Sequence, residues 1–454
     1  MRVIQNYLQT QTSYRTVSDS VYDKIGEWLT WYQNAGGHVV PEGAADSTQK
    51  YRRLGLAKKV CEDWADLLMN EGISVTAGSF NSRLNQILEE NHFTVRAKRM
   101  LETAFALGTG AFTEYRDSDG EIRLDCIRGD MICPITWDGR KITECAFGSV
   151  RTVNGKVYIY LQIHRKGLTG NGENSSFYYI ENQYLDAVTG ETAKLPTGMQ
   201  DVVPTGYDKP MFQIITPNIV NTQEPDGPMG SSVYADAIDL IEGCDLIYDS
   251  YMNEYILGRK RLLVPYSAAR MMQTQNEGET TPVFDPNAAV YFTMPGEQER
   301  DLKLTEQDMN IRITEHEQGL QKCLELLSMK CGMGAGWYRV KDGRVKADRG
   351  SIADKTNLYR NLQKHRILVK IAVRAMVKCL HFLENATDEI EVQVHFDDAV
   401  LEDPDTVIDR NIRLVQAGLR SRQTAIREIM KCSQEEAEQE LALIAANPQK
   451  EELV

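Results

Sequence analysis

Three groups of residues in this chain are of the types that catalysis or metal binding needs. Gly332, Gly334 and Gly336 could let a backbone close around a phosphate. Their spacing is not G-x-G-x-x-G, the loop follows a helical pattern instead of a strand, and no G-x-x-x-x-G-K-[S/T] occurs, so no nucleotide site is expected. His395, Asp397, Asp398, Glu402, Asp403 and Asp405 form the densest acidic cluster. Paired carboxylates can hold Mg²⁺ or Ca²⁺, which would suit a metal-dependent nucleic-acid hydrolase working through residues 397–405. Asp405 also stands where a helix N-cap belongs, and acids are favoured at that positive end, which is the preferred reading. Cys126 and Cys133 have no partner pair at zinc spacing, and H-E-x-x-H and G-x-S-x-G are absent. The chain is therefore expected not to be an enzyme, with no catalytic residue, cofactor or metal.

A fourth group carries charge and no reactive chemistry. Arg339, Lys341, Arg344, Lys346 and Arg349 outweigh Asp342 and Asp348 in the loop at 332–350. One copy is a basic loop; many copies around a ring would make a basic collar. The counterpart is acidic: residues 231–257 hold no lysine or arginine but contain Asp236, Asp239, Glu242, Asp245 and Asp249. Arg259, Lys260 and Arg261 then reverse the sign at once. The whole chain is acidic, with net charge −14, which argues against tight nucleic-acid binding as the main task. It does not argue against a wall past which nucleic acid slides.

Elements must position these charges. Within 231–257, Tyr234, Ala237, Ile241, Cys244, Tyr248, Met252 and Tyr255 recur at steps near three and four, which predicts a helix ~40 Å long. A β-containing insert follows (258–309), with strands expected at 262–264 and 289–292 in a hairpin-like appendage. A second helix is expected at 310–331 and a long one from 351 to about 385. On that last helix Leu358, Leu362, Val369, Val373, Met376, Leu380 and Leu383 form the apolar stripe. Arg360, Lys364, Lys370, Arg374 and Lys378 share another part of its circumference, read as a solvated face. Upstream, helices are expected at 21–33, 54–71, 81–90 and 94–107. Strands are expected at 122–127, 142–151, 156–164, 177–180 and 183–188, with Asp138-Gly139 and Asn154-Gly155 as hairpin turns. Arg128-Gly129-Asp130 reads as a turn. Downstream, 389–395 alternates like a strand, and 405–430 and 434–446 give two more helices.

At 454 residues, with 42% hydrophobic and 26% charged side chains, the chain can bury a core in two or three domains. No stretch approaches about 18 apolar residues, so no membrane span is expected, and the N-terminus lacks a signal-peptide run. Nine cysteines at irregular spacing suit reduced thiols better than a disulfide framework.

Taken together the segments resemble tailed-bacteriophage portal proteins, the head-to-tail connectors, in the siphophage branch of Gram-positive hosts. The resemblance is carried by Pro228-Met229-Gly230-Ser231-Ser232-Val233-Tyr234-Ala235, Asp249-Ser250-Tyr251 and Leu257-Gly258-Arg259-Lys260-Arg261. Ala57-Lys58-Lys59-Val60-Cys61-Glu62-Asp63-Trp64 and the Phe396-Asp397-Asp398 region extend it to nearly the whole chain. It implies an α+β portal fold: a helical and β wing (1–230), a first stem helix (231–257), a clip (258–309) and a second stem helix (310–331). A tunnel loop (332–350), a long wing helix with a strand (351–404) and a helical crown (405–454) complete it. It also implies a homo-oligomeric ring of about twelve subunits at the portal vertex of a virion, assembled in the host cytoplasm. Double-stranded DNA would pass through the bore during packaging and ejection. The terminase large subunit would dock at the clip, near Arg259, Lys260 and Arg261, and be replaced by head-completion or adaptor proteins. Major capsid and scaffolding proteins would be neighbours. In that frame the tunnel-loop cations face DNA and the five acids of 231–257 line the stem channel. A scaffolding or adaptor protein without a channel is the other reading, besides the hydrolase.

Overall fold

The computed structural model describes residues 2–10, 16–35, 52–69, 73–117, 119–139, 141–168, 174–257, 261–265, 291–294, 305–307, 310–341, 344–347, 352–396, 404–430, 432 and 434–446. It is a mixed helix-and-sheet fold, in agreement with the α+β expectation.

The chain opens with helices α1 (Arg2–Thr10), α2 (Asp19–Tyr32) and α3 (Leu56–Met69). α2 and α3 form because apolar residues fall every three or four positions, and those positions are the ones buried: Val21, Ile25 and Trp28 in α2, and Leu56, Val60, Trp64 and Leu67 in α3. Strand β1 (Ile73–Thr76) leads into α4 (Asn81–Glu90) and α5 (Phe93–Leu107). α5 packs against α2 and α3, with Trp64 and Phe105 ring centroids 6.2 Å apart. Gly108 closes α5 in the left-handed region, the usual helix stop.

Sheet structure follows. Strands β2 (Gly110–Arg116), β3 (Ile122–Arg128), β4 (Ile132–Asp138), β5 (Lys141–Val153), β6 (Lys156–Leu168), β7 (Asn174–Asp186), β8 (Thr192–Ala193), β9 (Val202–Pro204) and β10 (Phe212–Ile215) form two sheets. One runs β10-β2-β3; the other runs β4-β5-β6-β7-β8, with β9 also on β7. The Asn154-Gly155 turn joins β5 to β6 with both residues at positive φ, as a type I′ turn requires. Two expected strands at 177–180 and 183–188 are one continuous strand, β7. Arg128-Gly129-Asp130 runs from the end of β3 into a single 3₁₀ turn, Gly129–Met131.

Residues 231–234, expected to be helical, are not. The helix α6 begins at Ile238 after a 3₁₀ turn, so it spans Ile238–Leu257, about 30 Å instead of the longer rod. The reason is a backbone crossing. A Cβ on Gly230 would lie 2.1 Å from the Gly108 carbonyl oxygen, and one on Gly108 would lie 2.5 Å from that of Gly230. The Gly230 N–H donates to Thr109 Oγ1 and the Val233 N–H to the Phe105 carbonyl, which ties this segment to the end of α5. Tyr234, fully buried, donates its hydroxyl to the Trp28 carbonyl at 2.7 Å.

Beyond α6, β11 (Arg261–Pro265), β12 (Tyr291–Met294) and β13 (Thr305–Gln307) form a three-stranded sheet ordered β12-β11-β13. β11 and β12 run parallel, so the expected two-strand hairpin is replaced by a parallel pair with an added antiparallel strand. Helix α7 (Ile313–Lys330) returns along α6, and Gly332, at positive φ, ends it. The expected loop at 332–350 contains a hairpin, β14 (Tyr338–Lys341) with β15 (Arg344–Ala347). Helix α8 (Ile352–Asn385) then crosses the molecule, packed on β10 and β2. Strand β16 (Gln393–Phe396) pairs antiparallel with β1, tying the C-terminal third to the first. The single helix expected at 405–430 is two, α9 (Pro404–Gln416) and α10 (Arg422–Met430), broken near Gly418 at positive φ; α11 (Gln434–Ala446) follows. One apolar cluster runs from Ile4 through both sheets to Val394.

Candidate functional site

The charged elements named above meet around the α6–α7 pair. At its upper end Lys330 donates to the Asp236 carbonyl oxygen at 2.7 Å and lies 3.4 Å from Asp239 Oδ1. At the lower end Glu254 receives the backbone N–H of Arg312 at 3.0 Å and its Nε at 2.8 Å, with a further contact from Nη2. His316 Nε2 is 3.3 Å from the same carboxylate. Hydrogen bonds from the Arg312 side chain, then from its backbone, hold the Glu254 carboxyl down to about 2, against an ordinary value of 4.5. Each end of the pair is thus held by a salt bridge.

The five acids of 231–257 do not behave alike. Asp236 and Asp239 are exposed and Glu242 is half-buried. Asp245 and Asp249 are buried, at 1% and 8% exposure, and they correct the expectation of a five-carboxylate solvent face. Asp245 Oδ1 accepts the Leu54 N–H at 2.9 Å. Asp249 Oδ1 accepts the Arg52 N–H at 3.1 Å, while Oδ2 accepts the Asn253 amide at 2.9 Å. The physical cause is the segment leading into α3, which lies on that side of α6 and presents backbone donors that need acceptors.

The described part of the basic loop contains a hairpin. Register pairs Tyr338 with Ala347, Arg339 with Lys346, Val340 with Val345 and Lys341 with Arg344. Strand alternation therefore puts positions 339, 341, 344 and 346 on one face, and Tyr338, Val340, Val345 and Ala347 on the other. Arg339 is exposed. Of the remaining charged candidates, Arg349 and, beyond α6, Arg259 and Lys260 lie outside the described residues. Arg261 opens β11, opposite Gln307. In the acidic cluster, Asp397, Asp398, Glu402 and Asp403 also lie outside them, while Asp405 falls in the first turn of α9, where a carboxylate suits the helix dipole. Among the described residues no group of three acids, histidines or cysteines could hold a metal, and no helix is long and apolar enough to cross a membrane.

The hairpin root depends on a residue that charge patterning misses. Asp63 is buried in α3, and its Oδ2 accepts the Tyr338 hydroxyl at 2.8 Å and the Trp337 Nε1–H at 3.2 Å. Its Oδ1 is 2.6 Å from Lys59 Nζ. Burial first, and then the Asp63 charge, push the Tyr338 phenol well above its ordinary range, so it stays a donor. Ser328 Oγ accepts the Tyr338 N–H at 3.2 Å, and Trp64 Nε1 donates to the Cys331 carbonyl at 3.1 Å. Asp63 stands three residues after Val60 and next to Trp64, on the core-facing side of α3, a position that marks it as buried without naming its partners. None of the cysteines is in a disulfide, and burial pushes Cys331 and Cys126 each up to about 12, which leaves these two unreactive thiols.

The chain thus carries a pair of helices, α6 and α7, flanking a small sheet, with a basic hairpin and a long helix after them. The family model for phage portal proteins, SPP1 Gp6-like, matches residues 16–452, and the chain belongs to that family. The family is structural and non-enzymatic. No curated protein matches the chain. Among solved structures it is similar to a chain of the virion of a native gene transfer agent particle, at 12% identity and TM-score 0.43, covering 93% of this chain and 96% of that one. It is also similar to a chain in the neck of the native particle, computed with C12 symmetry, at 13% identity and TM-score 0.39, covering 88% and 98%. The neck of the empty particle, computed with C6 symmetry, gives 12% identity and TM-score 0.40, covering 89% and 98%.

Proposed function

We propose that this chain forms a ring of about twelve copies at one capsid vertex of a virion, through which double-stranded DNA is packaged and ejected. The single observation that carries this reading is the portal-family match over residues 16–452. The surface of one chain supports the ring. Tyr359, Ile367 and Ile371 stand at 43%, 54% and 58% exposure along one side of α8, and Leu326 and Met329 on α7 are 40% and 57% exposed. Large apolar side chains in such a row are what a neighbouring copy covers.

Charge supports the conduit. Duplex DNA carries one charge per about 1.7 Å, and each phosphate neutralised adds affinity, so a uniformly basic bore would hold DNA in place. In our reading Asp236, Asp239 and Glu242 repel the duplex, and cations are confined to one narrow level, the face bearing Arg339, Lys341, Arg344 and Lys346, with Arg349 beyond it. The sheet of β11–β13, with Arg259, Lys260 and Arg261 at its start, is the clip that receives the terminase large subunit and later a head-completion or adaptor protein. Wing strands β5–β7 would meet capsid and scaffolding proteins. The resemblance of 228–235 and 257–261 to siphophage portals of Gram-positive hosts favours an origin among such phages. Electron microscopy of the purified chain tests the ring, and a DNA-packaging assay with terminase tests the conduit. Packaging that proceeds without this protein would contradict the reading.

A further inference from the structure

Helix α3 is held at its N-terminal approach and near its middle by buried carboxylates that belong to, or reach, the two charged elements. At its N-terminal approach Leu54 and Arg52 give their backbone N–H groups to Asp245 and Asp249 of α6, at 2.9 and 3.1 Å. Two turns into the helix, Asp63 takes the side-chain donors of Trp337 and Tyr338 at the hairpin root, at 3.2 and 2.8 Å. Next to Asp63, Trp64 donates to the Cys331 carbonyl, where α7 stops. Apolar packing would hold these elements together as strongly as buried carboxylates do. What a buried carboxylate adds is direction, because it fixes which donor meets which acceptor.

We propose that α3 is a strut that sets where the basic hairpin stands relative to α6, and that Asp63 and Asp245 are its positioning residues. A tilt of α6 carries Asp245 and Asp249, these carry the segment 52–54, and α3 passes the displacement through Asp63 to Trp337 and Tyr338. The hairpin's cations move with the stem helix as one body. The importance of this for DNA rests on the portal reading; the linkage itself rests only on the bonds above.

The test uses the full chain and limited trypsin digestion, with cleavage after Arg339, Lys341, Arg344 and Lys346 followed by mass spectrometry. Asp63→Ala removes the hairpin end, and cleavage there should rise about tenfold as the root opens locally. Asp245→Ala removes the α6 acceptor of the Leu54 N–H, and should raise the same cleavages. Asp245→Asn should restore protection, because its amide oxygen still accepts the Leu54 N–H. Melting temperature is read in parallel. If Asp245→Ala unfolds globally, with sites throughout the chain cut alike, Asp249→Ala supplies the same comparison. A rise with Asp63→Ala alone, or with neither end, overturns the strut. Micrographs of the wild-type sample separate the two readings: no rings would end the portal ring while leaving the strut tested.

Discussion

His365 shows how one side chain makes stability depend on pH. It is 5% exposed, packed edge-on to Trp64 at 4.8 Å, and its Nδ1 accepts the Asn218 backbone N–H at 3.0 Å. A neutral ring is required for that bond. Burial, and secondarily Lys364, lower it from 6.5 to about 4. Between these values the unfolded chain binds the proton and the folded chain does not, so stability falls as pH drops from 6.5 towards 4, by roughly 3 kcal/mol in total. His365→Gln, which keeps an acceptor, should flatten the denaturation midpoint over that window; an unchanged slope would locate the acid sensitivity elsewhere. Gly230 is the second telling residue. Gly230→Ala forces a methyl against the Gly108 carbonyl and should cost about 3 kcal/mol by urea denaturation, the upper end for overpacking. A loss under about 0.5 kcal/mol, the range of neutral surface changes, would mean that the crossing is not rigid.

Among the elements, α6 separates two roles that its sequence had merged. Reversing Asp236, Asp239 and Glu242 to lysine leaves the buried contacts of Asp245 and Asp249 alone and breaks only the exposed Lys330–Asp239 pair, so the protein should still fold while packaged DNA falls about tenfold, because the wall then holds phosphates. Asp245→Lys places a cation in a buried site and should instead unfold the chain. Equal packaging by the triple variant and the wild type would remove the acidic wall. In the hairpin, Arg339→Glu should weaken DNA retention and lessen its salt dependence, measured as release across a salt series; an unchanged salt slope would take Arg339 out of contact with DNA. Much of this architecture was legible. Val21, Val60, Leu362 and Met376 occupy core positions because helical period and burial coincide. Residues 231–234 misled because their apolar spacing reflects burial at a backbone crossing, and burial alone does not specify hydrogen bonding. The hairpin was hidden by its charges, although Tyr338, Val340, Val345 and Ala347 alternate around Asp342-Gly343, a hairpin dipeptide. The break at Gly418 was readable as a helix stop. The parallel pairing of β11 with β12 was not, since no local pattern encodes a partner separated by a long insertion. Neither was the role of Asp63, whose partners lie 274 and 275 residues away.

At the scale of the whole molecule, one chain exposes apolar residues on α7 and α8 and keeps lysine and arginine out of α6. In the proposed ring, neighbours would cover the apolar rows and equal charges would stack at equal heights. A head-to-tail contact repeated around an axis closes without adding any element to the subunit. Electron microscopy of the purified full-length protein tests this most directly. The account predicts closed rings with a central opening at least as wide as a DNA duplex, about 20 Å, with the face of Arg339 and Lys346 turned toward the axis. Compact single chains, or closed particles with no passage for a duplex, would contradict it.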